Sequence, residues 1–362
     1  MATPGTIYFK NLDALRFLAF LGVFIAHTIF FATSSNFFIN FFLSIVSLNY
    51  FGVPFFFTLS SFLITYRLLL EREKNGSIRL LKFYKNRILR IWPIYYLLVF
   101  FCFFALPFFA PLLNVHSPTL PSILPFLFFY VNLYIIENGS FFTFSLMILW
   151  SISIEEQFYL VWSCIVKFVS NKRIVPVIFF LFAASVVYSY YYLYREHKAA
   201  NNLAINTIYT IQNFCTGALI ALVCIKKQKA FIFLQSLPSI YFVLIYILLP
   251  VSFFFIRDMV LCNIIKSICY SLIIYDQTFN EQSVLKAGKY ALINYLGKIS
   301  YGLYIYHAII IIVLEKGFHF FIDEPILWIN MIQSFIALVI TVIIAHISYQ
   351  YIELKFLALK SI

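Results

Sequence analysis

The chain has 362 residues, of which 63% are hydrophobic, 21% aromatic and only 11% charged, and its mean hydropathy is +0.93. Because soluble domains carry about a quarter charged residues, this composition excludes a soluble enzyme, a disordered chain and a secreted disulfide scaffold. The net charge of +12 would favour a nucleic-acid partner in a soluble protein, but in a membrane protein it is typical of basic residues kept on the cytoplasmic side. We therefore expect an all-helical, polytopic membrane protein that binds no nucleic acid.

Apolar stretches long enough to cross a bilayer, which requires about 20 residues, recur along the whole chain. Ten spans are predicted, at residues 12–31, 41–69, 91–110, 146–170, 174–194, 205–225, 231–254, 259–275, 297–314 and 326–350. An eleventh apolar stretch, 121–136, is shorter and contains Pro121 and Pro125.

The distribution of basic residues indicates how many of these stretches cross the membrane and in which direction. With ten spans and a cytoplasmic N-terminus, most of the 26 lysines and arginines fall on the cytoplasmic side, whereas an eleventh crossing would remove this bias. The sequence thus predicts about ten transmembrane helices with both termini cytoplasmic, and residues 121–136 lying at the outer surface or re-entering the bilayer. Since the loops are short, residues 1–362 are expected to form a single integral-membrane domain without an appended soluble domain. The six cysteines lack metal-ligand spacing, and no metal site is expected.

Ionisable side chains inside apolar spans are costly and are functional candidates by default. They are Arg16, His27, Glu155, Glu156, Lys266, His307 and His346. Arg16 and His27 share one helix face, about 16 Å apart along the axis, so the first span carries a permanent cation near its cytoplasmic end and a proton-transfer group in its outer half. The alternative is an arginine that extends to the inner interface and a histidine that is hydrogen-bonded in the core.

Two adjacent carboxylates, Glu155 and Glu156, lie in the fourth predicted span, in the segment Trp150-Ser-Ile-Ser-Ile-Glu-Glu-Gln-Phe-Tyr-Leu-Val-Trp162. The predicted topology places them at about the depth of His27. A carboxylate at this position would orient His27 and stabilise its imidazolium, as general-base catalysis requires. The alternative is an ion pair with a lysine or arginine, and the sequence does not divide these roles between the two glutamates.

The cytoplasmic segment 71–93 is strongly basic, and within it Arg87 and Arg90 are one helical turn apart. Paired arginines suit bidentate phosphate binding. The alternative, which charge alone favours, is an ordinary cytoplasmic loop that contacts lipid headgroups.

A polar stripe opens the ninth predicted span, where Ser300, Tyr304 and His307 follow one another at helical spacing. Such a stripe either joins helices through hydrogen bonds or lines a pocket. We favour the first role for Ser300 and leave His307 open. The sequence contains no P-loop, GxGxxG, HExxH or GxSxG motif, so nucleotide hydrolysis, hydride transfer, zinc proteolysis and elbow-type esterase chemistry have no support.

Five blocks in this order resemble the membrane-bound acyltransferase 3 family. They are Asn11-Leu-Asp-Ala-Leu-Arg16 with His27, Gly52-Val-Pro-Phe-Phe-Phe-Thr-Leu-Ser-Ser-Phe-Leu-Ile-Thr65, Phe83-Tyr-Lys-Asn-Arg-Ile-Leu-Arg-Ile-Trp-Pro93, the Trp150–Trp162 segment and Ile299-Ser-Tyr-Gly-Leu-Tyr-Ile-Tyr-His307. The blocks extend from residue 11 to about residue 310. The sequence departs from the family at Ser61, where glycine is usual and the serine would tighten or shift a close helix contact, and at Ser163, where proline is common.

The resemblance implies a ten-helix enzyme of the bacterial inner membrane. It would move an acyl group, usually acetyl, from cytoplasmic acyl-CoA (acetyl-CoA) to a hydroxyl of a cell-surface glycan or its lipid-linked precursor. Some relatives pass the acyl group to an appended soluble domain. Because this chain ends after its last predicted helix, transfer is expected to finish in the membrane part or on a separate periplasmic partner.

The resemblance assigns the family's motifs to residues of this chain. The expected catalytic residues are His27, Glu155 and Glu156, the expected donor-binding residues are Arg16, Arg87 and Arg90, and weaker candidates for lining the substrate pocket are Ser300, Tyr304 and His307. His27 would deprotonate the acceptor hydroxyl or first accept the acyl group itself.

Two other classes of protein remain open at this stage. A transporter or flippase of lipid-linked sugars would use the same buried charges to line a path, and a structural membrane subunit would tolerate their replacement. The acceptor also stays open among lipopolysaccharide O-antigen, exopolysaccharide, peptidoglycan, a lipid-linked oligosaccharide and a small glycoside.

Overall fold

The computed structural model describes residues 8–29, 52–109, 120–139, 144–195, 200–319 and 327–361. All regular secondary structure in these ranges is helical. The helices of eight or more residues are α1 (Lys10–Ile29), α2 (Gly52–Asn75), α3 (Leu80–Phe100), α4 (Val131–Asn138), α5 (Trp150–Phe168), α6 (Ile174–Arg195), α7 (Thr207–Lys226), α8 (Lys229–Ser236), α9 (Ser239–Phe255), α10 (Met259–Thr278), α11 (Ala291–Lys298), α12 (Ser300–His319) and α13 (Leu327–Ser348).

Eight of these helices are long and apolar enough to cross a membrane, namely α1, α2, α3, α6, α7, α10, α12 and α13. Helices α8 and α9 meet at an angle of 88° and together form a ninth, broken candidate. Helix α5 corresponds to the predicted span 146–170 and has 19 residues, but it holds three charged side chains, Glu155, Glu156 and Lys167, and is not among these candidates. The all-helical fold is therefore confirmed for the described residues, with eight or nine candidate spans. The tenth span and the cytoplasmic location of both termini stay predictions. Part of the second predicted span, residues 41–51, lies outside the described residues.

The stretch 121–136 forms two short helices, Leu124–Leu127 and α4. Helix α4 is about 12 Å long and is too short to cross a bilayer alone. The chain turns between the two at Phe129, whose φ of 55° is in the left-handed region. The hydroxyl of Tyr95 on α3 donates to the carbonyl of Phe126 at 2.9 Å, so this stretch is packed against α3.

The chain divides into two compact units built from interleaved segments. The first holds the described residues of Met1–Ala19, Phe51–Ile78 and Leu160–Lys298, and the second holds those of Phe20–Tyr50, Arg79–Tyr159 and Ile299–Ile362. Helices α1 and α5 each contribute residues to both units.

Helix α7 is the central helix of the first unit and packs against α2, α6 and α10. Its approach to α2 is close because Gly217 has no side chain: a Cβ there would lie 2.2 Å from the Thr58 carbonyl oxygen. On the same helix pair, the buried Ser61 hydroxyl donates to the Phe214 carbonyl at 2.5 Å. The close contact expected at Ser61 is thus present, and the serine adds a hydrogen bond to it.

The first turn of α1 is fixed within the same unit by polar contacts to the last turn of α10 and to the segment that follows it. The Asn11 amide donates to the Gln277 carbonyl at 2.8 Å, and its oxygen accepts from the Gly288 N–H at 3.0 Å. Gly297 on α11 lies directly against the Asp13 backbone, where a Cβ would come within 1.8 Å of the carbonyl oxygen. These contacts hold the base of the helix that carries Arg16.

Arg72, near the end of α2, binds the carboxyl end of α5, and this contact yields a stability prediction. Its guanidinium donates to the carbonyls of Val166 and Val169 at 2.6 and 2.8 Å. Because carbonyls in the last turn of a helix lack partners within the helix, Arg72→Ala is expected to lower the free energy of unfolding by about 2 kcal/mol. Thermal unfolding in detergent measures this loss. The matched control is Lys74→Ala, since Lys74 is exposed in the same turn, and an equal loss in both variants would contradict the assignment.

Candidate active site

Two histidines meet inside the second unit. Nδ1 of His27 on α1 lies 2.9 Å from Nε2 of His307 on α12, and the two rings are nearly parallel, with an interplanar angle of 4°. His307 is fully buried, and its Nδ1 lies 2.6 Å from the Tyr304 carbonyl oxygen. The structure therefore gives the predicted base a hydrogen-bond partner whose role the sequence left open.

Tyr304 connects α12 to the start of α5. Its hydroxyl lies 2.6 Å from the Ser151 hydroxyl and 3.1 Å from the Ile148 carbonyl oxygen. Ser300, at the start of α12, is buried as well. The polar stripe predicted on this helix thus makes two interhelical contacts, from Tyr304 to Ser151 on α5 and from His307 to His27 on α1.

The paired glutamates face the aromatic side chains around them. Glu155 accepts a hydrogen bond from the Tyr159 hydroxyl at 2.7 Å, and Glu156 lies 3.4 Å from the indole nitrogen of Trp92 on α3. The second oxygen of Glu156, Oε1, is buried without a hydrogen-bond partner. The two carboxylates therefore have different surroundings, and the assistance that either gives to His27 stays a prediction.

The predicted phosphate-binding arginines lie on α3 beside these glutamates. The guanidinium of Arg87 is 5.5 Å from the centre of the Phe83 ring and 5.2 Å from that of the Tyr159 ring. The charges of Arg90, Glu155 and Glu156 all act on Arg87 electrostatically. The structure thus places the predicted donor-binding arginine Arg87 beside the two predicted catalytic glutamates in the second unit. Nothing in the sequence indicated that these two groups of residues are neighbours.

Sequence reasoning missed a further carboxylate near these groups, Glu353. It is 7% exposed, and its Oε1 has no hydrogen-bond partner. Gly302 on α12 leaves room for it, because a Cβ at that position would lie 3.3 Å from Oε1, and Arg90 acts on it electrostatically. A lone glutamate in an apolar helix could have identified this residue. It was missed because the last predicted span ended at residue 350, so Glu353 was not counted as a charge within a span.

Arg16 lies in the first unit and is ion-paired there. Its guanidinium is 2.5 Å from the Asp13 carboxylate, which also accepts from the Tyr8 hydroxyl at 2.5 Å. Asp13 was not singled out from the sequence, although its position one turn before Arg16 is the spacing of a helical ion pair. Donor binding by Arg16 stays a prediction.

Comparison with known proteins assigns the class to which this arrangement belongs. A family model described as an acyltransferase domain matches residues 9–349, so the chain belongs to the acyltransferase 3 family, as the five sequence blocks predicted. The peptidoglycan O-acetyltransferase OatA of Listeria monocytogenes is 28% identical over 96% of this chain and 55% of its own length. The O-acetyltransferase OatA of Staphylococcus aureus is 32% identical over 46% of this chain and 26% of its own length. The chain thus spans about half the length of the Listeria relative. No solved structure matches it.

Proposed function

We propose that the protein is an O-acetyltransferase that moves an acetyl group from cytoplasmic acyl-CoA to a hydroxyl of a cell-surface glycan or its lipid-linked precursor. The observation that carries the proposal is the hydrogen-bonded pair of His27 and His307 in a chain of this family. The relatives named above are O-acetyltransferases. Since the printed name of one specifies peptidoglycan, peptidoglycan is the first acceptor to test. The proposed location is the bacterial inner membrane.

His27 acts as the general base in this proposal. Its imidazole takes the proton of the acceptor hydroxyl while that oxygen attacks the acyl carbon, and the proton then passes to the departing thiolate. Acyl-CoA supplies the thioester. The resulting imidazolium keeps its hydrogen bond to His307, and the carboxylates of Glu155 and Glu156 lower the energy of positive charge in the same unit.

The donor is proposed to bind at the start of α3. Arg87 and Arg90 are half-buried, and Lys82 and Lys85 are exposed two to eight residues earlier on the same helix. This series of cations suits an anionic diphosphate, since the exposed lysines attract it and the forked guanidiniums bind its oxygens. Two carboxylates, Glu155 and Glu156, act on Arg87, whereas one, Glu353, interacts with Arg90, so Arg90 is expected to contribute more of the binding.

Replacement of Arg90 by lysine tests this donor site. Arg90→Lys keeps the positive charge but loses the planar fork, so the KM for acetyl-CoA should rise about tenfold, which corresponds to about 1.4 kcal/mol, while kcat changes little. Steady-state release of CoA measures both constants. Lys74→Ala, which removes an exposed cation on α2, should leave KM unchanged. An unchanged KM in Arg90→Lys would place the donor elsewhere.

The acceptor class is tested with the purified protein in liposomes. Acetyl-labelled acetyl-CoA is supplied with peptidoglycan, with lipopolysaccharide or without a glycan, and the washed glycan is treated with mild alkali, which releases an O-ester. The proposal predicts alkali-labile label on one glycan and much less on the other. Movement of lipid-linked sugar across the membrane without acetyl-CoA would instead identify a transporter.

A further inference from the structure

We propose that His307 is a positioning residue that fixes the tautomer and the ring orientation of His27. The inference rests on the proposed function, because it assigns the residue that prepares the base for that reaction. It goes beyond the pocket-lining role that the sequence suggested for His307, and it is argued in three steps from contacts in the second unit.

The first step is the position of the proton on His307. A carbonyl oxygen accepts but never donates a hydrogen bond, so the 2.6 Å contact between the Tyr304 carbonyl and Nδ1 of His307 requires a proton on that nitrogen. In neutral His307 the lone pair is therefore on Nε2. Both ring nitrogens of the residue are then assigned by its surroundings.

The second step transfers this assignment to His27. Since Nε2 of His307 is an acceptor, the 2.9 Å contact with Nδ1 of His27 is made by an Nδ1–H of His27. The lone pair of neutral His27 is thus on Nε2, the nitrogen that would take the proton of the acceptor hydroxyl. An imidazole whose one nitrogen is held as a donor presents the other as a base, which is the role of the orienting group in a catalytic triad.

The third step is the rigidity of His307. Its ring is fully buried and meets the Phe20 ring edge-on at 5.8 Å between centres. Its backbone partner Tyr304 is itself held by Ser151 and Ile148. His307 therefore offers a preformed acceptor, so little reorganisation is needed when His27 becomes charged.

The proton balance is simple. The acceptor hydroxyl loses its proton to Nε2 of His27, and the new imidazolium keeps donating from Nδ1 to His307. When the carbon–sulfur bond of the thioester breaks, the proton on Nε2 passes to the thiolate. His307 stays neutral throughout, and its Nδ1–H keeps donating a hydrogen bond to the Tyr304 carbonyl.

Two amide variants separate positioning from structural support. In His307→Gln the side-chain oxygen can reach the place of Nε2 and accept from His27, whereas in His307→Asn the amide replaces Nδ1 and only the contact with the Tyr304 carbonyl is kept. We expect His307→Asn to lower kcat at least about 100-fold with little change in the KM for acetyl-CoA. His307→Gln should recover most of the lost rate. Equal losses in two folded variants would overturn the inference.

A measurement that does not depend on activity reports the tautomer directly. ¹⁵N NMR of imidazole-labelled protein in nanodiscs distinguishes Nδ1–H from Nε2–H, and loss of signals in His27→Asn assigns His27. The inference predicts Nδ1–H in the wild type and a shift toward Nε2–H in His307→Asn. If the wild type is active but His27 carries its proton on Nε2, this inference is overturned while the proposed function stands. An inactive, folded wild type with His27 as Nδ1–H would contradict the proposed function while leaving the tautomer assignment intact.

Discussion

Replacement of His27 by alanine is expected to reduce acetyl transfer at least about 1,000-fold, with the variant still folded and inserted. The reason is that no other group in the proposed reaction takes the proton of the acceptor hydroxyl. His27→Asn is the companion variant. Its amide can still donate to His307 from the place of Nδ1, so the buried acceptor on His307 keeps a partner, but it has no basic nitrogen.

Both variants are assayed by release of free CoA from acetyl-CoA in the presence of acceptor glycan. Thermal unfolding in detergent verifies that each is folded. His346→Ala provides the matched control, because His346 is an exposed histidine on α13 of the same unit, and it should keep wild-type activity. Full activity in folded His27→Asn would refute general-base catalysis by His27.

Gly217→Ala is expected to give the largest loss of stability among single methyl additions in helix α7. A Cβ at this position would lie 2.2 Å from the Thr58 carbonyl oxygen and 3.0 Å from Cβ of Ser61. Because the obstacle is backbone, helices α2 and α7 must separate. Overpacking of this kind costs about 3 kcal/mol, and separation also stretches the hydrogen bond from Ser61 to Phe214.

Gly317→Ala makes the same chemical change at an open position. Gly317 lies on α12, and nothing within 4 Å would meet its Cβ. Alanine should therefore stabilise this helix by about 0.5–1 kcal/mol. Thermal unfolding of the two variants should shift in opposite directions. A neutral Gly217→Ala would show that the helices are not in close contact.

The positions of most long apolar helices could be predicted from the sequence because their hydropathy stays high over about 20 residues. The prediction 174–194 corresponds to α6 (Ile174–Arg195) and 205–225 to α7 (Thr207–Lys226). Helix α3 begins 11 residues before the predicted span at 91, at Leu80, since the basic residues of its first turns lower the hydropathy without preventing a helix.

The prediction at 231–254 joined two helices that the structure separates. Helix α8 ends at Ser236 and α9 begins at Ser239, with an angle of 88° between them. The break lies at Pro238, which lacks a backbone N–H and restricts the residue before it. Hydropathy does not register this break because Leu237 and Pro238 are both apolar.

Candidate site residues could be selected by their residue types, but the residues that they contact could not be predicted. A histidine in an apolar helix marks a functional candidate, yet the partner of His27 is 280 residues away in the chain. Helical spacing shows which residues share a face and does not show which helix that face meets. Arg87 against Tyr159 and Trp92 against Glu156 are pairs of the same kind. The ion pair of Arg16, by contrast, is local and could have been found from spacing.

The most direct test of the central claim compares the amounts of CoA and glycan ester that the purified wild-type protein forms from acetyl-CoA. The account predicts that one CoA is released for each alkali-labile acetyl ester on the glycan, and that both products disappear together in His27→Asn. If the folded protein forms no ester with peptidoglycan or lipopolysaccharide supplied, or forms ester equally well in His27→Asn, the account is contradicted.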